Sequence, residues 1–129
     1  NLMNGLVVEE DGKLYSKFEN NKVLLPTEKA KILKDGGYVN KEVVFGIRPE
    51  HLSDSEVLVK DAIDVTIGGD VEVVERMGAE SYIYFKSGSS SMTAKVEGST
   101  KFEPKDKIKL HVQIDKIHIF DKDSELRIC

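Results

Sequence analysis

The chemistry open to this chain rests on three histidines, one cysteine and 23 carboxylates. A metal site needs donors presented together, such as two histidines three or four residues apart on one helix face. His51, His111 and His118 have no such partner, and Cys129 has no second thiol, so no metal site is expected. Ser89, Ser90 and Ser91 could supply a nucleophile, but a serine elbow needs a strand–turn–helix setting, and no helical pattern follows them. Phosphate chemistry calls for a glycine-rich loop of the form G-x-x-x-x-G-K-[ST]. The pattern is absent: Gly36-Gly37 and Gly68-Gly69 lack the Lys-Ser or Lys-Thr that would follow. Catalytic residues, cofactor ligands and metal ligands are all expected to be none, and the chain reads as a non-enzyme.

A length of 129 residues supports one domain, or two small lobes sharing a core, burying about two-thirds of the unfolded chain's surface. With 40% hydrophobic and 33% charged residues the composition is soluble and globular. No stretch approaches the roughly 18 apolar residues of a membrane span, and there is no basic-then-apolar leader. The start at Asn1 without an initiator methionine suggests a piece of something longer. Net charge is −4, and only Arg48, Arg76 and Arg127 among 19 cations are arginine. That balance argues against nucleic acid, which needs clustered cations. Cys129 can close no disulfide within the chain, in keeping with a reducing cytoplasm.

The elements that must carry any site are short. Leu6-Val7-Val8 and residues 13–18, on either side of Asp11-Gly12, give a strong hairpin signal. Asn20-Asn21 is expected to turn the chain into residues 22–25, and Thr27 to cap a helix over 28–34 that Gly36-Gly37 stops. Ala30, Leu33 and Leu25 would cover a sheet edge. Residues 52–56 look turn-like and Val57-Leu58-Val59 is a short strand. Residues 63–76 form the longest strand, with Gly68-Gly69 read as a bulge or bend. Met77-Gly78-Ala79 turns it into residues 81–85, and Gly88 to Ser91 is a hairpin loop before 92–96. In residues 108–114, Ile108, Leu110, Val112 and Ile114 face in while Lys109, His111 and Gln113 face out. Residues 117–120 and 125–128 flank a turn at 121–124. About ten short strands at roughly 8–12-residue spacing, with one short helix, make the chain all-β with a barrel architecture.

One stretch stands apart: Val43-Val44-Phe45-Gly46-Ile47-Arg48-Pro49-Glu50-His51-Leu52. Val43, Phe45 and Ile47 alternate with Val44, Gly46 and Arg48, the period of a strand. Pro49 ends it and pushes Arg48 into an extended conformation. Arg48 and Glu50 then project to the same side, an ion pair worth roughly 0–1 kcal/mol at a surface.

The string Gly46-Ile47-Arg48-Pro49-Glu50-His51-Leu52 resembles the hallmark segment in the C-terminal regulatory region of sugar-importer ABC ATPase subunits of the maltose/maltodextrin and glycerol-3-phosphate type. Three further stretches follow in the family's order. Asn1-Leu2-Met3-Asn4-Gly5 resembles the junction after the nucleotide-binding domain. Gly69-Asp70-Val71-Glu72-Val73-Val74-Glu75-Arg76-Met77-Gly78 resembles a family strand, and Ile117-His118-Ile119-Phe120-Asp121 the closing one. The resemblance covers essentially the whole chain.

It implies that residues 1–129 are an OB-fold-like antiparallel β-barrel region of the transport-associated (TOBE) type, cut from a longer ATPase subunit. It implies a regulatory and dimerisation module that holds two ATPase subunits together and docks a cytoplasmic regulator. Its partners would be a second copy, its own N-terminal ATPase domain and, through the parent chain, the membrane subunits, on the inner face of the plasma membrane. ATP and Mg would belong to the absent nucleotide-binding domain. Gly46, Arg48, Pro49, Glu50 and His51 would lie at or near the contact between two regulatory domains. The alternative is an oxyanion sensor, since barrels of this broad type bind molybdate or related anions. Against it, the chain offers few arginines and no evident Ser/Thr-Lys nest. The transported sugar is not legible here.

Overall fold

In the computed structural model, which describes residues 1–54 and 65–129, the chain starts with a tight hairpin. Asp11 and Gly12 both take positive φ, 52° and 78°. This is the geometry whose twist matches the flanking strands, here β1 (Leu2–Glu10) and β2 (Lys13–Phe18). The next turn falls at Glu19 and Asn20, one residue earlier than expected. Glu19 takes a φ of 52°, so Asn21 opens β3 (Asn21–Leu24). Helix α1 (Thr27–Asp35) has Pro26 at its N-cap and no side-chain cap. Thr27 is therefore already helical and does not cap. Leu33 and Leu25 are buried as expected, and Ala30 packs against the core.

From β4 (Glu42–Gly46) the chain passes through a 3₁₀ turn, Pro49–His51, into β5 (Leu52–Ser53). Leu52 is a buried strand residue, not part of a polar turn. The expected strand at 57–59, and residues 55, 56, 63 and 64, lie outside the described residues. Then come β6 (Thr66–Arg76), β7 (Glu80–Ser87), β8 (Ser90–Glu97) and β9 (Lys107–Val112). After a 3₁₀ turn, Ile114–Lys116, the chain ends in β10 (His118–Asp121) and a short return, with Phe120 bridged to Arg127.

Among the described residues two antiparallel sheets result. Sheet 1 runs β10-β4-β1-β2-β3 and sheet 2 runs β5-β9-β6-β7-β8. Strand β6 serves two neighbours in turn, pairing with β9 over Thr66 to Asp70 and with β7 over Asp70 to Arg76. The register shift lies between Val71 and Val73, so the bulge is at Glu72 and not at Gly68-Gly69, where the ladder to β9 is unbroken. Gly69 answers a different need: a Cβ there would meet the Lys86 carbonyl oxygen.

Ile108, Leu110 and Val112 are buried as their spacing predicts, but Ile114 is half-buried because the strand has given way to the 3₁₀ turn. His111 is also half-buried, not solvated. β9 is an interior strand, and His111 is flanked by Ser53 on one side and Thr66 on the other.

Side chains tie the two sheets together. Asn21, on the last strand of sheet 1, donates from Nδ2 to Ser87 Oγ at 2.7 Å and accepts from the Gly68 N–H at 3.0 Å. The same Ser87 hydroxyl donates to the Gly68 carbonyl. Beside it, Glu19 accepts from the hydroxyls of Ser89 and Ser90, both at 2.8 Å, and from the Ser89 N–H at 3.2 Å. The loop read from sequence as Gly88 to Ser91 is thus a two-residue turn clamped by a carboxylate. Ser90 and Ser91 already belong to β8.

Candidate functional site

The segment from Gly46 to Leu52 is the crossing from sheet 1 to sheet 2. Val43, Phe45 and Ile47 anchor its near end in the core, each at most 2% exposed, and Leu52 anchors its far end at 1%. Between them Arg48 is extended, at φ −72° and ψ 147°, and Pro49 opens the 3₁₀ turn. Proline suits that place, since its missing N–H would have had no helical partner. The His51 N–H closes the turn onto the Arg48 carbonyl at 3.0 Å, and the His51 carbonyl accepts from the Gln113 N–H at 3.0 Å.

Asn1, which the sequence reading quoted only as part of the junction stretch, secures the crossing. Asn1 Nδ2 donates to the Ile47 carbonyl at 2.9 Å and to the Thr93 carbonyl at 2.8 Å. Its Oδ1 accepts from the Thr93 N–H at 2.7 Å. Nothing in local spacing could have marked it, because the contact spans 92 positions.

Gly46 is buried and sits in register between Leu2 on β1 and His118 on β10. A Cβ there would lie 3.2 Å from both Leu2 Cδ2 and Phe120 Cε2. Gly46 is thus the floor under two apolar side chains, of which Leu2 is 73% exposed. Pro49 and His51 are half-buried, whereas Arg48 and Glu50 are exposed.

Arg48 and Glu50 do not form the expected ion pair. No salt bridge joins them, because the 3₁₀ turn at Pro49 replaces the strand's period of two. Glu50 instead lines a cleft of about 480 Å³ with Asp54, Glu80, Lys95 and Glu97, where Lys95 pairs with Glu80 at 3.2 Å. The Glu50 carboxyl is held below its ordinary range by its own backbone N–H, with smaller help from the charges of His51, Arg48 and Lys95. On the other side of the crossing, burial pushes the His118 imidazole down, reinforced by Arg127, Lys29, Arg48 and His51. The Nδ1 atoms of His51 and His118 are both buried without a partner. The hallmark thus divides an acidic cleft from a cationic neighbourhood.

Residues 45–120 match the family model described as the TOBE domain, and residues 1–52 the one described as the MalK OB fold domain. The chain belongs to the TOBE domain family. This TOBE domain is 34% identical over 122 residues to the multiple sugar-binding transport ATP-binding protein MsmK of Streptococcus mutans, covering 95% of the chain and 32% of the relative. It is 30% identical over 117 residues to the trehalose/maltose import ATP-binding protein MalK of Thermococcus litoralis, covering 90% and 31%. The chain spans about a third of the length of the curated relatives it matches. A molybdate-bound crystal structure of the cytoplasmic molybdate-binding protein ModG aligns with a TM-score of 0.61 at 14% identity, covering 92% of this TOBE domain and 94% of that chain. At that identity the likeness is one of fold. The OB-like, all-β reading holds. Among the described residues no helix is long and apolar enough to cross a membrane.

Proposed function

We propose that this TOBE domain is the regulatory domain of the ATP-binding subunit of a carbohydrate ABC importer, and that it holds two such subunits together through the face around Gly46, Arg48, Pro49, Glu50 and His51. The relatives' names, ATP-binding proteins of sugar import, support the first half. The observation that carries the second is that Arg48 and Glu50 are both exposed without pairing to each other, on a segment pinned at both ends. Charges held in place yet left to solvent suit a partner of matching charge. A two-fold axis presents the same patch from each copy, so Arg48 of one copy can meet Glu50 of the other. ATP and Mg would be handled by parts of the subunit beyond this chain, whose sequence has no phosphate loop. The whole subunit would sit on the inner face of the plasma membrane through the importer's membrane subunits, and a cytoplasmic regulator would dock on the same domain.

Sedimentation of wild type and Glu50→Lys over a concentration series, with circular dichroism alongside, tests the contact. The variant is expected to lose dimer while keeping its β signal. A wild type that stays monomeric at high concentration, or a variant that dimerises equally well, overturns the reading.

A further inference from the structure

Gly68 is a glycine that the backbone does not require. It lies in the regular ladder opposite Lys109, outside the set of residues with positive φ. A Cβ built there would have one neighbour, the Ile108 carbonyl oxygen at 3.8 Å. Glycine weakens a strand interior, and it often marks a bulge, a tight bend or a place that a ligand or another backbone approaches closely; the space beside Gly68 points to the last of these. Gly69 next to it is different, because a Cβ there would come within 2.8 Å of Phe85 Cδ2 as well as meet the Lys86 carbonyl. Gly69 serves packing, whereas Gly68 serves an open space.

That space is a groove of about 470 Å³ between β3 and the β9-β6-β7 part of sheet 2. Gly68 is exposed in it, and four lysines surround it: Lys22, Lys86, Lys107 and Lys109. The sheet register explains the convergence. Lys107 and Lys109 stand two residues apart on β9, facing Asp70 and Gly68, while Lys86 faces Asp70 from β7 on the other side of β6. Among the described residues Asp70 is the one carboxylate lining the groove, and Lys107 engages it at 3.1 Å. Lys22 is drawn toward Glu10 and lies 4.8 Å from the centre of the Tyr15 ring. Among the described residues, neither Lys86 nor Lys109 has an ion-pair partner. The nearby Glu19 carboxylate is already held by three donors from Ser89 and Ser90. A chain of net charge −4 therefore gathers four lysines beside the two glycines of β6.

We propose that this groove binds the phosphate group of a small ligand, a phosphate monoester or inorganic phosphate. Ammonium groups converging from two strands match a dianion better than a single carboxylate. The volume is in the range of small-molecule sites, roughly 300–1,000 Å³. The inference goes beyond the proposed function and does not rest on it, since none of these residues belongs to the hallmark segment.

The test is amide NMR of the isotope-labelled domain at fixed ionic strength, titrated with glucose 6-phosphate, inorganic phosphate and glucose. Both phosphates are expected to shift the Gly68, Gly69 and Gly88 amides saturably, and glucose is not. Tighter binding of the ester identifies a phosphorylated metabolite as the source, and equal binding identifies free phosphate. Lys86→Gln/Lys109→Gln should weaken binding at least about tenfold, the loss of charge-assisted hydrogen bonds. Gly68→Val should fill the floor and weaken it too, with the melting temperature held or raised. Lys101→Gln/Lys116→Gln, outside the groove, should bind as wild type. No saturation by about 10 mM phosphate or ester, the weak end of specific binding, overturns the proposal. So does undiminished binding by the double variant, or the same shifts with sodium chloride alone.

Discussion

Asn1 pairs its side-chain amide with the backbone N–H and C=O of Thr93. Asn1 Oδ1 accepts from the Thr93 N–H at 2.7 Å while Nδ2 donates to the Thr93 carbonyl at 2.8 Å. A primary amide reproduces the donor and acceptor of a peptide, so one side chain stands in for a rung of strand beside β8. Asn1→Ala would leave both Thr93 groups without these partners and is expected to cost about 1–3 kcal/mol. Denaturant unfolding of the two proteins measures it.

The neighbouring glycines of β6 should respond in opposite senses. Gly69→Ala puts a methyl into the Lys86 backbone and the Phe85 ring, and overpacking of that kind costs about 1–3 kcal/mol. Gly68→Ala adds a methyl to open space and should be neutral or stabilising by up to roughly 1 kcal/mol. Equal melting temperatures for the two variants would contradict the assignment.

On β9, Leu110 is fully buried while the adjacent His111 is half-buried. Leu110→Ala is expected to lose about 2–5 kcal/mol, the transfer and cavity cost together, and His111→Ala distinctly less. Thermal unfolding of the pair decides it.

The Glu19 clamp predicts an acid-sensitive joint. Hydrogen bonds from the Ser90 and then the Ser89 hydroxyl, with the Ser89 N–H, hold its carboxyl below the ordinary 4.5. A carboxyl lowered on folding adds stability that is fully present above its unfolded value and disappears as pH falls through its folded value. Glu19→Gln should therefore melt below wild type at neutral pH, and the gap should close under acid. A gap independent of pH would show that the charge is not what the serines read.

How far the sequence spoke depended on whether a feature was local. The Asp11-Gly12 hairpin, the alternation of Val43, Phe45 and Ile47, and that of Ile108, Leu110 and Val112 were all legible, because each depends on period two within one strand. The Arg48–Glu50 pair was extrapolated from the same period and failed where Pro49 changes it. The glycines were read as a bulge or a bend because glycine often marks either, and of the two the bulge lies elsewhere, with Glu72 as the extra residue. The bridges through Asn1, Asn21 and Glu19 were invisible, as was the lysine groove. They join strands of different sheets whose approach no single strand's pattern encodes.

The strand order also governs the timing of synthesis. Sheet 2 as described is assembled from strands between residues 52 and 112, whereas the edge of β4 is covered by β10, which begins at His118. As the chain leaves the ribosome at roughly 5–20 residues per second, the interval from Gly46 to His118 lasts on the order of 4–14 s. Throughout that interval β4 presents unpaired N–H and C=O groups, the condition under which strands recruit the wrong neighbour. Truncation after residue 112 would make that exposure permanent while leaving the described strands of sheet 2 complete, so released chains that end there should be the ones that aggregate.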